Sequence, residues 1–275
     1  MGDTIKVSVL QCGSVVVAKA QLFNTENKGM WDMALFNNRK PEQRITIPIL
    51  AFLVEHPKGR MLFDTGWPVG VRGHAFKTLG LECLCDIASL PDGQAVDEVL
   101  AMRGLAPEDL DFVVMSHLHT DHVGGLREVE SAKKVLVNDV EWECAHDRAN
   151  HLVYDEKFWS GIDVETYHMR DSGIGPVGKS FDLFGDGTVE LVNLPGHTPG
   201  LAGALVRNNG KNLLLAGDCG FNRDSWGKSL LPTICPDREG MSKSFAWIRE
   251  LAAQPETLDC ITAHETELPK REFTL

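Results

Sequence analysis

Four metal-capable side chains fall within six consecutive positions near the middle of this chain, in Ser116-His117-Leu118-His119-Thr120-Asp121-His122. An apolar run, residues 112–115, leads into the cluster, and Val123-Gly124-Gly125 follows it. His117 and His119 are two positions apart, so on extended backbone their side chains point the same way. Asp121 and His122 come where the chain should turn into a helix. Burying so many polar groups together is costly unless something binds them.

Three further donors occupy comparable settings. His197 lies in Pro195-Gly196-His197-Thr198-Pro199-Gly200, where Pro and Gly make a rigid turn; Asp218 follows the apolar run 212–216, and His264 ends the run 258–263. Donors at several strand ends can converge along one edge of a sandwich. Five His and two Asp are enough to hold two divalent metal ions, and the mixture of imidazole and carboxylate suits zinc, iron, manganese or cobalt. A lone His after a strand, such as His264 taken by itself, reads as a packed or solvated residue. Beside His-x-His-x-Asp-His it reads as a ligand.

Short apolar runs that end in Gly, Pro, Asp or His predict strands at 49–54, 60–63, 112–115, 134–137, 188–194, 201–206, 212–216 and 258–263. Asn208-Asn209-Gly210 predicts a hairpin turn between two of them. The first strand starts near Ile5, where Val7 and Val9 alternate with Lys6 and Ser8, and should turn at Gly13. That alternation favours a strand over a leader peptide. Helical spacing covers 92–104 and 242–253, the second opening on Ser242 as N-cap. Strands mixed with helices make this an α/β chain. No Pro-, Gly- or Ser-rich linker divides it, so residues 1–275 read as a single domain. Residues 61–64 and 214–218 are both apolar strands that deliver an Asp, which hints at a duplicated sandwich.

Composition narrows the partners. The formal net charge is -12 and basic residues cluster only in pairs such as Lys133-Lys134. A nucleic-acid surface needs clustered cations, so a small neutral substrate suits this chain better. No apolar run reaches the ~20 residues of a membrane span. The seven cysteines are odd in number, with one close pair, Cys83 and Cys85. They read as free thiols of a cytoplasmic protein rather than a disulfide framework. Two thiols alone also lack the further ligands that zinc requires.

The order His117-x-His119-x-Asp121-His122, His197, Asp218, His264 resembles the metallo-β-lactamase superfamily, and Asp64-Thr65-Gly66 matches an early strand end of that superfamily. The layout is most similar to the N-acyl-homoserine lactone lactonases, the quorum-quenching members. They share a loop before the first Asp-Thr-Gly strand, here 29–47, and a long insertion, here 138–186. The resemblance implies an αββα sandwich. It implies one metal held by His117, His119 and His197, a second by Asp121, His122 and His264, and Asp218 bridging them. Asp121 would also carry a proton to the leaving oxygen, and Asp64 would orient a ligand imidazole. Two metals about 3.5–4 Å apart lower the pKa of a shared water, so no Ser or Cys nucleophile is needed.

One position departs from that family. The lactonases have a Tyr three residues after the bridging Asp, and here Phe221 stands there. Tyr154 and Tyr167 are the only tyrosines, both in the insertion and candidates for the mouth of the site. Residues 30–36 and Phe158-Trp159 could wall an acyl pocket, pack in the core, or form a homodimer contact. Other readings fit less well. A glyoxalase II-type thioesterase would want a helical C-terminal region, and a β-lactamase proper a Cys in place of Asp218. A di-iron redox protein would have Glu at His119, and RNA-processing relatives carry basic surfaces.

Overall fold

The computed structural model describes residues 4–24 and 40–275. The expected loop at 29–47 lies partly, and the segment 30–36 wholly, outside the described residues. The first sheet contains β1 (Lys6–Ala18), β2 (Arg44–His56), β3 (Gly59–Phe63), β4 (Ile87–Ser89), β5 (Phe112–Val114), β6 (Val135–Asn138), β7 (Val164–Tyr167) and a final strand near the C-terminal end, Glu272–Thr274. The second contains β8 (Arg170–Asp171), β9 (Lys179–Asp182), β10 (Val189–Asn193), β11 (Ala202–Asn208), β12 (Lys211–Leu215) and β13 (Thr257–Ile261). The last strand, β14, begins the order β14-β1-β2-β3-β5-β6-β7, with β4 against β1; the second sheet runs β13-β12-β11-β10-β9-β8. Helices are α1 (Lys19–Leu22), α2 (Val71–Leu79), α3 (Val96–Ala101), α4 (Thr120–Val123), α5 (Asp139–His146), α6 (Arg223–Lys228) and α7 (Arg238–Ala252).

Strand alternation builds the layers. Met61 and Phe63 of β3 meet Leu213 and Leu215 of β12 in the core between the sheets. Leu62, on the opposite face of β3, packs with Val96, Val99 and Leu100 of α3. Leu214 packs outward with Met241, Phe245 and Ile248 of α7. Side chains with period two along a strand can serve both faces in this way. The result is the αββα arrangement of two sheets between helical layers.

Several boundaries differ from the sequence reading. β1 does not turn at Gly13. It continues through a register shift between Gln11 and Ser14, and Gly13 takes a φ of 107° there. A methyl at Gly13 would come within 2.8 Å of the Trp67 indole, so a bulge filled by glycine replaces the turn. β2 begins before Pro48, which lies opposite Ser14 at that bulge, where a missing N–H costs least. The helix expected over 92–104 is confined to Val96–Ala101, its start closed by Glu98 accepting from the Gly93 and Ala95 amides at 2.9 and 3.0 Å. α7 starts at Arg238, capped by Asp237 on the Gly240 amide at 2.8 Å. Ser242 is inside that helix, its hydroxyl donating back to the Arg238 carbonyl. The hairpin turn is as expected, with Asn209 and Gly210 at φ 50° and 69°.

Candidate metal centre

The cluster sits where the two sheets are laced together. Ala202 N–H donates to the Ser116 carbonyl at 2.9 Å, Ala263 N–H to Gly217 O at 2.9 Å, and Leu50 N–H to Ala263 O at 2.9 Å. These bonds bring the middle of β2, the start of β11 and the ends of β5, β12 and β13 to one edge. His117 comes three residues after β5, His119 stands in extended backbone just before α4, and Asp121 and His122 occupy its single turn.

Three sets of donors gather there, each with its ligand atoms within 4.8 Å: His117, His119 and His197; Asp121, His122 and His264; and His117, His122 and Asp218. His197 Nε2 lies 2.9 Å from His119 Nδ1. Asp218 is central, with His122 Nε2 at 3.2 Å, His264 Nε2 at 3.3 Å and His197 Nε2 at 3.5 Å from its carboxylate. Asp121 Oδ2 is 3.5 Å from His264 Nε2 and 3.7 Å from His122 Nε2. All seven residues singled out in the sequence are thus brought together. Cys83 and Cys85 are not among these donor sets.

Asp64 stands behind the cluster. Its carboxylate accepts from the Ser116 amide at 2.7 Å and the Ser116 hydroxyl at 2.8 Å, and it meets His122 Nδ1 at 2.9 Å. The Ser116 hydroxyl directs its proton to Asp64, so it accepts from His117 Nδ1, 3.0 Å away. One carboxylate therefore fixes the His122 ring directly and the His117 ring through Ser116, aiming both Nε2 atoms into the cluster. Asp64 has a φ of 63°, an uncommon conformation for a non-glycine residue that these contacts hold in place. The Pro48 carbonyl does the same for His264, accepting from Nδ1 at 2.9 Å.

The donors fit metal ions. His117 Nε2, His122 Nε2 and Asp218 Oδ1 are buried with no hydrogen-bond partner, and such groups are rare unless a ligand satisfies them. Burial and the neighbouring imidazoles hold His117 and His119 well below the usual histidine range, in the neutral form a metal requires. Burial also opposes charge on His122, but Asp218, Asp121 and Asp64 outweigh it and raise its pKa well above that range. Burial would raise Asp218, yet His264 and His122 hold it well below the usual carboxylate range. A polar knot of this kind gathers positive charge at its carboxylates.

The sequence reading missed several groups. Ser116 stands out in the sequence only as the start of the motif, although its hydroxyl links Asp64 to His117. No sequence pattern singles out Glu141. Its side chain is buried in the insertion and accepts from the Leu118 amide at 3.1 Å and from the Tyr154 hydroxyl at 3.0 Å. Glu82 and Asp86 are half-buried on the Asp121 side. Burial, then repulsion from Asp86 and Asp121, pushes Glu82 up to about 8. Burial and Asp121 push Asp86 up to about 7. A Glu flanked by ordinary helix or loop residues carries no local pattern that could have found these.

The tyrosines also resolve. The Tyr154 ring lies 5.2 Å from that of His119, with its hydroxyl committed to Glu141. Tyr167 packs on Phe181 beside the core between the sheets. The Phe221 ring stacks on His264 at 5.3 Å and 29°. Phe158 and Trp159 are buried in the outer core.

With this geometry in place, the sequence model of the metallo-beta-lactamase superfamily matches residues 45–264. This chain belongs to the metallo-β-lactamase superfamily. Among curated relatives, the N-acyl homoserine lactonase AttM of Agrobacterium fabrum is 28% identical over 230 residues, covering 80% of this chain and 83% of that protein. An N-acyl homoserine lactonase of Bacillus cereus is 24% identical over 215 residues, covering 77% and 80%. The fold is shared with a solved N-acyl homoserine lactone hydrolase that holds N-hexanoyl-L-homoserine at its catalytic metal center. That match has a TM-score of 0.74 at 19% identity and covers 95% of this chain and 93% of the other. The dizinc quorum-quenching lactonase AidC matches with a TM-score of 0.65 at 15% identity, covering 95% and 88%. No helix among the described residues is long and apolar enough to cross a membrane.

Proposed function

We propose that this superfamily member is a hydrolase that holds two divalent metal ions and opens lactone rings, N-acyl homoserine lactones first among them. The observation that carries the reading is the overlap of the three donor sets around orphaned, buried His117 Nε2, His122 Nε2 and Asp218 Oδ1. The names of the curated relatives support the substrate class. His117, His119 and His197 would hold one ion, Asp121, His122 and His264 the other, and Asp218 would touch both. Zinc suits these donors, and seven free thiols agree with a reducing cytoplasm. We read residues 1–275 as one catalytic domain.

Two bound ions would supply an acidified water and electrophilic stabilisation of the ester carbonyl. The chain's own residues do the rest. Asp64, Ser116 and Pro48 fix the imidazole rings before substrate arrives, so no reorganisation is needed during reaction. Asp121 is more open than Asp218, with 19% against 6% of its side chain exposed. On this reading Asp121 would carry a proton to the leaving ring oxygen, and its greater exposure supports that role. The Phe221 ring stacks on His264, and its side chain donates no hydrogen bond.

The test is metal analysis together with a hydrolysis panel of short- and long-chain acyl-homoserine lactones, other lactones, thioesters and β-lactams. The reading expects about two ions per chain and ring opening seen as the addition of one water. A folded, reconstituted protein with no metal refutes the site. Turnover confined to thioesters refutes the substrate class.

A further inference from the structure

Five of the seven donors are histidines, and they are not held alike. The rings of His122, His264 and His117 are each fixed through Nδ1, by Asp64, the Pro48 carbonyl and Ser116. His119 and His197 have no such partner among the described residues. Their rings meet each other at 2.9 Å, and His197 approaches Asp218 at 3.5 Å. Their placement must therefore come from the backbone that carries them.

That backbone converges on Glu141. Its Oε1 accepts from the amide of Leu118, the residue between His117 and His119. The same oxygen accepts from Tyr154, whose ring lies against His119. On the other side is the turn after His197. A methyl on Gly200 would fall 2.2 Å from Glu141 N, so the start of α5 is in contact with that turn. Burial pushes the Glu141 carboxyl up; its Oε1 is met by the Leu118 amide and the Tyr154 hydroxyl, while its Oε2 and the Thr198 hydroxyl of the His197 turn are both buried without a hydrogen-bond partner. A fully buried carboxylate is costly unless such donors surround it.

We propose that Glu141 is a positioning residue that locks the His119 loop to the His197 turn, and so tunes one of the two metal positions more than the other. The proposal rests on the two-metal reading above. On this view the 138–186 insertion closes the ligand set of the ion bound by His117, His119 and His197. The ion bound by Asp121, His122 and His264 would not draw on Glu141: two of its ligands are fixed by Asp64 and Pro48, with Asp64 reaching His117 as well through Ser116.

The experiment compares wild type, Glu141→Ala, Glu141→Gln and Tyr154→Phe, each stripped and titrated with zinc and with cobalt. Stoichiometry is read by metal analysis and each cobalt environment by its visible spectrum. Glu141→Ala should weaken one of two binding steps on the order of 10–100-fold, as loss of a group that orients ligands does, and alter one cobalt band set. Glu141→Gln, which keeps an acceptor for Leu118, should recover most of the affinity. Tyr154→Phe should weaken the same step by a smaller factor, and it decides the matter if Glu141→Ala does not fold. Two wild-type steps that stay unchanged in the folded variants, or that weaken equally, overturn the proposal. A wild type that binds no second ion overturns the two-metal reading and the proposal with it.

Discussion

β3 and β12 are alike in pattern and opposite in use. Each sends two apolar side chains into the core between the sheets and one outward, and each is followed by an aspartate. Asp64 comes directly after β3, with Ser116 N–H, Ser116 Oγ and His122 Nδ1 all directed at it. Asp218 comes a little further beyond β12, past Gly217, whose φ is 52°. Its carboxylate enters the cluster among three imidazoles, with Oδ1 lacking a hydrogen-bond partner. A buried carboxylate whose donors are complete orients its neighbours. One left incomplete among lone-pair donors is built for a ligand.

The sharpest break of this comparison is Asp218→Ala. Loss of the shared carboxylate should remove hydrolysis entirely and strip at least one ion per chain, even at saturating zinc. Metal content of the folded variant checks it, and two retained ions would make the two aspartates equivalent. Asp121→Asn and His117→Ala belong to the same class and should also abolish turnover.

Asp64→Ala should behave differently. It leaves every donor to the ions in place but unpairs His122 Nδ1 and Ser116, so metal affinity falls roughly 10–100-fold. The metal-free protein should also melt earlier, because each orphaned buried group costs about 1–3 kcal/mol. Excess zinc should restore much of the turnover. Ser116→Ala breaks only the link to His117 and should cost less on both measures. If excess zinc rescues Asp218→Ala and not Asp64→Ala, the roles of the two aspartates are reversed.

Phe221→Tyr is a finer probe of the Asp218 side. The new hydroxyl beside His264 should leave metal content unchanged and lower kcat/KM by a few fold, because a polar group is then set against the bound ligand unpaired. Steady-state kinetics on a short- and a long-chain acyl-homoserine lactone would show it. An increase on both would mean the site gains from a donor at this position. The smallest effect is expected for Cys83→Ser and Cys85→Ser, outside the donor sets, with metal content and turnover within about twofold of wild type.

The seven donors were legible because their chemistry is local and compact. His-x-His-x-Asp-His concentrates groups that a core rejects, and Pro-Gly-His and the strand-ending Asp218 and His264 repeat the theme. Strand positions were legible from period two, since each strand feeds two cores. Boundaries were less so. Gly13 reads as a turn until Trp67 is packed against it, and Ser242 reads as a cap until Asp237 takes that place ahead of Arg238.

By itself, then, the sequence determined which residues bear the chemistry and that strands would deliver them, because residue type and periodicity are properties of short segments. The family resemblance already set Asp218 in the cluster and Asp64 behind it, and only the tertiary structure decided which atoms each of them meets. It also decided that Ser116, Pro48 and Glu141 brace the donors, and that Phe221 lies flat on His264. Those outcomes depend on which atoms face one another across elements as far apart as Pro48 and His264, 216 positions in the chain. Hydrogen-bond partners at that separation are set by how the two sheets stack, which no local pattern encodes.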